Sequence, residues 1–219
     1  MPVRSSWKTL RGLWCAAIVV AAGGIAEAGA QVDLEALKDP SQFTEEAPAT
    51  YRARFDTSKG EFLIEVRREW APLAADRFYN LVKSGFYNDA RFFRVVEDFM
   101  VQFGLNGDPA VQAPWSRARL RDEPVTQSNT RGLVSFAKES LPNTRNTMVF
   151  INFVDNSFLD ERGFPPFGQV VSGMEVVDSL YSGYGDDRGP DQLRILRQGN
   201  AYLQESFPEL DYIRTAVVE

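Results

Sequence analysis

Hydrophobic and polar positions alternate with period two at several places along the chain, the mark of half-buried strands. Tyr51, Ala53 and Phe55 alternate with Arg52, Arg54 and Asp56, and after Thr57-Ser58-Lys59-Gly60 the alternation resumes with Phe62, Ile64 and Val66. This is the pattern of a β-hairpin, with Gly60 supplying a positive φ to its loop. The period then changes. Pro72 opens a helix, Leu73, Phe78, Leu81 and Val82 form its apolar stripe, and Gly85 closes it. Strands are read again over Gly132–Ala137, Met148–Phe153 and Phe167–Val171, and a second short helix over Met174–Tyr181. The stretch 106–129, with Pro109, Pro114, Pro124 and an isolated Trp115, reads as loop, and Leu193–Leu196 as a short strand. Residues 31–49, polar and carrying Pro40 and Pro48, read as a linker or N-terminal arm. Many short strands with turn signals and only two helices predict a mainly β fold, a closed β-barrel with helices over its ends, in one domain spanning 50–219.

The first thirty residues follow a different grammar. Arg4, Lys8 and Arg11 precede an apolar run from Leu13 to Ile25, and Ala28-Gly29-Ala30 then offers small residues for cleavage. That three-part order is the order of a secretory signal peptide, 1–30, and the run is short for a bilayer span of about 20 residues. The expected destination is the periplasm or the exterior, with membrane attachment only if the signal is retained. Cleavage would remove Cys15, the single cysteine of the chain, and three cations against one carboxylate, leaving a remainder more acidic than the formal −6 of the whole. An acidic chain with scattered Lys and Arg predicts no nucleic-acid partner.

Composition narrows the chemistry further. There is no histidine anywhere. Ser-His-Asp and Cys-His catalysis are therefore excluded, and with Cys15 gone so are thiol chemistry and Cys/His zinc sites. The Asp186-Asp187 pair and Asp108 lack the regular spacing of a calcium loop, so no metal and no cofactor are expected. Any catalysis must come from Arg, Lys, carboxylates, hydroxyls or shape. Sixteen phenylalanines in 219 residues suit a compact core or an aromatic-lined groove.

One stretch combines these elements. Arg91–Gly107 alternates as a strand, with Phe93 and Val95 opposite Arg94 and Val96, then brings Phe99, Met100 and Gln102 in quick succession before a Gly/Asn/Asp turn. A guanidinium beside two large apolar side chains and a neutral amide can hold an uncharged apolar group against one strong donor. Taken alone, the stretch is better read as a core strand with a surface arginine.

The rest of the chain changes that reading. DTSKGEF at Asp56–Phe62, FFRVVEDFMVQFG at Phe92–Gly104, SFA at Ser135–Ala137, PNTRNTMVFIN at Pro142–Asn152 and NSFLDERGFPPFGQVVSGMEVV at Asn156–Val177 occur in one order. In that order they resemble the cyclophilin family of peptidyl-prolyl cis-trans isomerases, in an exported bacterial form, over nearly all of Tyr51–Leu180. The resemblance implies an eight-stranded antiparallel barrel capped by two helices. It implies that Arg94 is the catalytic arginine and that Phe99, Met100, Phe150 and Leu159 wall the proline pocket. It further implies that Gln102 orients the arginine and that Ala137 and Lys138 lie along the substrate main chain, Lys138 in place of a usual asparagine. Met148 stands where the family commonly has a glutamine, Phe158 where many members have tryptophan, and Phe164 nearest a usual histidine. The loss of the indole implies weak sensitivity to cyclosporin.

The implied reaction suits a site without His or Cys. Rotation about an X–Pro bond crosses a barrier of about 18–20 kcal/mol as amide resonance is lost, with no proton transfer and no nucleophile. In the twisted state the proline nitrogen regains a lone pair, so a donor aimed there gains strength only in that state. The expected activity is isomerisation of X–Pro bonds in unfolded or partly folded exported polypeptides by a monomer. The alternative, raised by Met148, is a catalytically weak peptide-binding chaperone or scaffold that uses the same groove.

Overall fold

This computed structural model describes residues 1, 2 and 32–219. The signal sequence read over 1–30 lies, but for its first two residues, outside the described residues. The period-two pattern becomes a hairpin of β1 (Thr50–Thr57) and β2 (Gly60–Arg67), with Tyr51, Ala53, Phe55, Phe62, Ile64 and Val66 all buried on one face. Its register pairs Phe55 with Phe62, whose rings stack 5.0 Å apart.

Six more strands complete a single antiparallel sheet: β3 (Arg94–Val96), β4 (Met100–Phe103), β5 (Leu133–Phe136), β6 (Val149–Asn152), β7 (Pro166–Ser172) and β8 (Ile213–Val218). Their order is β3-β4-β6-β5-β7-β2-β1-β8. The sheet curls around a core in which Phe55, Phe62, Phe78, Tyr87, Phe92 and Phe103 are buried and in ring contact. Much of the heavy phenylalanine content is spent here.

The expected closed barrel is corrected to a curled half-barrel. Strands β3 and β8 end the sheet and no ladder joins them. The backbone facing β8 is instead Asp89–Phe92, which exchanges three hydrogen bonds of 2.8–3.0 Å with Asp211 and Ile213 around one isolated bridge, Arg91–Tyr212. Asp89 sits at φ 60°, and that left-handed turn breaks the extended backbone a ladder requires.

The helix expectations hold in part. The helix opened by Pro72 is α1 (Pro72–Lys83), and the second is a short α3 (Met174–Asp178). Two further helices correct the reading. α2 (Pro109–Arg117) lies in the stretch read as loop: Asp108 caps it by accepting from the Ala110 N–H at 2.8 Å, and Pro109 occupies the first turn, where its missing N–H costs nothing. Trp115 on this helix is fully buried and donates to the Leu37 carbonyl at 2.7 Å. α4 (Gln192–Ser206) replaces the strand read over Leu193–Leu196. It kinks at Gly199 (φ 58°), where any Cβ would lie 2.0 Å from the Gly107 carbonyl oxygen.

The stretch 32–49 forms an arm against α1 and α2. Two 3-10 turns, Ala36–Lys38 and Pro40–Gln42, bury Leu37, and Phe43 packs 5.7 Å from the Trp115 ring. The Ala47 N–H donates to Asp76 on α1 at 2.9 Å.

Candidate functional site

The register of three strands lines up the key side chains. Arg94 on β3 pairs with Gln102 on β4, Gln102 pairs with Phe150 on β6, and Phe150 pairs with Ser135 on β5. With side chains alternating across a strand, Val101, Phe103, Val149 and Ile151 face the main core while Met100, Gln102 and Phe150 stand on the opposite face. There Met100, Phe150 and Leu159 form a separate buried apolar cluster, edged by Phe99, Ala137 and Phe164. A single residue of slip in β4 would reverse these faces. Gly104, at φ 106°, follows β4 so closely that a Cβ would stand 2.4 Å from the Thr147 carbonyl oxygen.

Loops complete the walls. The 3-10 turn Ser157–Leu159 delivers Leu159, and it is held by Asn156, whose Nδ2 donates to the Phe99 carbonyl and to Asn152 Oδ1, each at 2.8 Å. Phe164 meets Phe150 edge to face at 5.7 Å, and the Lys138 ammonium lies 5.6 Å from the Phe164 ring centre. The Ala137 N–H donates to the Met148 carbonyl at 2.9 Å.

The result is a cavity of about 280 Å³. Of the eleven residues expected from the sequence, it gathers Arg94, Phe99, Met100, Gln102 and Ala137 on its lining, and with them Lys138, Met148, Phe150, Leu159 and Phe164. Phe158 is the exception. It is 48% exposed and stacks on Phe99, ring centres 6.1 Å apart, with the Arg162 guanidinium 5.0 Å from its own ring centre. Met148 has two neighbourhoods. It lines the cavity, and it also packs against the cluster of Phe93, Leu105, Tyr202 and Leu203 that seats α4. Its sulfur lies 3.7 Å from Gln102 Nε2, a weak acceptor for that amide.

Three residues absent from the sequence reading of the site join it. Glu139 and Gln192, the first residue of α4, line the cavity. Asp186 pairs with Arg94, accepting from Nε at 2.6 Å and from Nη2 at 3.0 Å. These charge-assisted bonds hold the Asp186 carboxyl below the usual carboxylate range. Arg94 Nη1 is 3.4 Å from Gln102 Oε1 and 3.9 Å from the Met100 sulfur, and the guanidinium stands 5.8 Å from the Phe99 ring centre. An apolar floor with guanidinium N–H groups at its edge can receive a compact uncharged ring and offer a donor beside it. Among the described residues, no group of three or more His, Cys, Asp or Glu side chains could hold a metal ion.

Comparison with known proteins meets this geometry. The family model described as cyclophilin type peptidyl-prolyl cis-trans isomerase/CLD matches residues 52–200, more than half of the chain. The chain belongs to the cyclophilin family. It is 34% identical over 139 residues to a peptidyl-prolyl cis-trans isomerase of Acinetobacter baylyi, covering 61% of this chain and 73% of the relative. With peptidyl-prolyl cis-trans isomerase B of Escherichia coli the identity is 32% over 134 residues, covering 58% of this chain and 81% of that one. A cyclophilin type isomerase of Cryptosporidium parvum shares the fold at TM-score 0.58 and 21% identity, over 78% of this chain and 98% of that chain. A second structure of that parasite enzyme, in the presence of the dipeptide Ala-Pro, matches at TM-score 0.56 and 22% identity, over 77% of this chain and 98% of that chain. This cyclophilin is accordingly a peptidyl-prolyl cis-trans isomerase.

Proposed function

We propose that this cyclophilin isomerises X–Pro bonds in unfolded or partly folded exported proteins, as a monomer in the periplasm or outside the cell, and that the reaction takes place in the Arg94 groove. The observation that supports the site is the meeting, at one cavity, of the buried Met100-Phe150-Leu159 cluster with the guanidinium of Arg94. The proline ring seats on the apolar cluster, where dispersion and exclusion of water hold it fixed while the preceding peptide turns. Arg94 Nη1 donates to the proline nitrogen as its lone pair reappears, a contact made only in the twisted state and therefore one that raises rate. Gln102, beside Arg94 in the strand register, orients the guanidinium and offers its amide to the substrate backbone. Export is supported by the basic, apolar and small-residue order of residues 1–30.

Two experiments test this reading. Exchange spectroscopy on a proline peptide should show catalysis by the wild type that Arg94→Ala abolishes. Fractionation of cells expressing the full chain should place a shortened form outside the inner membrane; a full-length form in the cytoplasm would reject export.

A further inference from the structure

Arg94 is gripped from outside the sheet. A guanidinium carries five N–H donors in a rigid plane, and the Asp186 carboxylate takes Nε–H and one Nη2–H along a single edge, at 2.6 and 3.0 Å. The other edge is left to the groove, where Nη1 makes only long, weak bonds, to Gln102 Oε1 at 3.4 Å and to the Met100 sulfur at 3.9 Å, and keeps donor capacity for a substrate. Asp186 itself does not line the cavity. Its carboxylate therefore fixes the plane of the guanidinium without occupying the place of a substrate.

The loop that brings Asp186 there is tied down on both sides. The Tyr181 N–H donates to Asp211 at 2.8 Å, and the Ser182 hydroxyl donates to Glu97, just beyond β3, at 2.7 Å. Tyr184 packs edge to face on Phe207 at 5.0 Å, and Phe207 on Tyr202 of α4 at 5.4 Å. Beyond the loop, the Asp191 N–H donates to the Tyr202 hydroxyl at 3.2 Å. At Gly189 a Cβ would come within 3.0 Å of the Gly185 carbonyl oxygen, so the turn carrying Asp186 is tightly folded.

We infer that Asp186 is a positioning residue for the isomerase reaction, holding the Arg94 guanidinium so that its Nη1 edge faces the twisting prolyl amide. The inference rests on the proposed role of Arg94. An arginine side chain has considerable rotamer freedom to lose, and a donor that must find its direction during the reaction is worth less than one already aimed. The Asp186 side chain is half exposed, so the pair's own share of stability is small and replacing Asp186 should leave the fold intact.

The test measures kcat and KM by exchange spectroscopy for the wild type, Asp186→Asn, Asp186→Glu, Asp187→Asn and Arg94→Ala, with thermal unfolding of each and the Arg94 Nε–H resonance as a probe of order. Asp186→Asn should lower kcat about tenfold with KM and Tm little changed, and should broaden or shift the Arg94 Nε–H signal. Asp186→Glu should recover part of the loss, and Asp187→Asn, which removes an exposed neighbouring carboxylate, should match the wild type. If Arg94→Ala is inactive while Asp186→Asn keeps the full wild-type kcat, the inference fails and the reading of Arg94 stands. A rise in kcat for Asp186→Asn would also overturn it, since the carboxylate would then be a restraint on Arg94. Should Arg94→Ala keep full activity, the underlying reading of the groove fails first.

Discussion

Arg94, Gln102 and Phe150 stand side by side because three strands are in register, and in the proposed reaction they serve as donor, orienting amide and apolar floor. Met148, on the cavity lining, is the residue on which the proposed reading makes its test of substrate affinity. Its thioether gives Gln102 Nε2 only a weak partner at 3.7 Å, and it offers a passing peptide backbone no donor. Met148→Gln should therefore lower KM about threefold to tenfold, the worth of one added hydrogen bond, and leave kcat nearly unchanged, because that bond serves ground and transition states alike. Peptide titrations and saturation kinetics check this; an unchanged KM would show that the position does not touch substrate. The chaperone alternative gains if wild-type turnover is weak and the glutamine restores it. Most of these residues were legible in the sequence, since alternation sets which side chains share a face and the motifs set their order. Asp186 was not. It lies 92 positions from Arg94 in an irregular loop, where no periodicity ties the two together.

Helix α1 shows the limit of local signals at the scale of elements. Its N-cap position is Ala71, which has no side-chain acceptor. The exposed N–H groups are satisfied from a loop 50 residues away, where the Glu123 carboxylate accepts from Leu73 N at 2.7 Å and Ala74 N at 3.0 Å. Burial raises the Glu123 carboxyl above its usual range, and the two backbone donors draw it back toward ionisation. Glu123→Ala should cost about 1–2 kcal/mol, as loss of a cap does, visible as a lower midpoint in urea with an unchanged slope. Pro72 and the apolar stripe announced α1, but its cap could be found only in three dimensions. α2 and α4 were hidden for related reasons. Pro109 and Pro114 read as breakers although one opens the helix, and the inward stripe of α4, Ile195 then Tyr202 and Leu203, is interrupted at Gly199, leaving Leu193–Leu196 to read as a short strand.

For the molecule as a whole, the arm and the carboxyl-terminal segment frame the half-barrel from different directions. The arm seals the side of α1 and α2: Leu37 is buried, its carbonyl satisfies the Trp115 indole, and Phe43 covers that ring. No arm residue lines the groove. A chain beginning at Thr50 lacks Leu37 and uncovers the Trp115 ring, so it should be less stable by several kcal/mol, yet should keep its kcat/KM where it remains folded. An unchanged urea midpoint would contradict that account of the arm. On the other side, α4 and its flanking loop supply Gln192 and Asp186 and seat Met148, so the groove is built by the half-barrel together with a segment beyond its seventh strand. The count of eight strands was legible through the family motifs, whereas the alternation put a strand at Leu193–Leu196 and passed over β8; the opening between β3 and β8 was not legible, because it depends on the left-handed turn at Asp89.

If the guanidinium of Arg94 lowers the barrier to prolyl rotation in this groove, kcat/KM for cis-trans exchange in a proline peptide, measured with the wild type and with Arg94→Ala alongside peptide affinity for both, should show it. The substitution should cost at least about a hundredfold in kcat/KM with affinity changed much less, as expected for a donor engaged only in the transition state. Equal kcat/KM for the two proteins would contradict it.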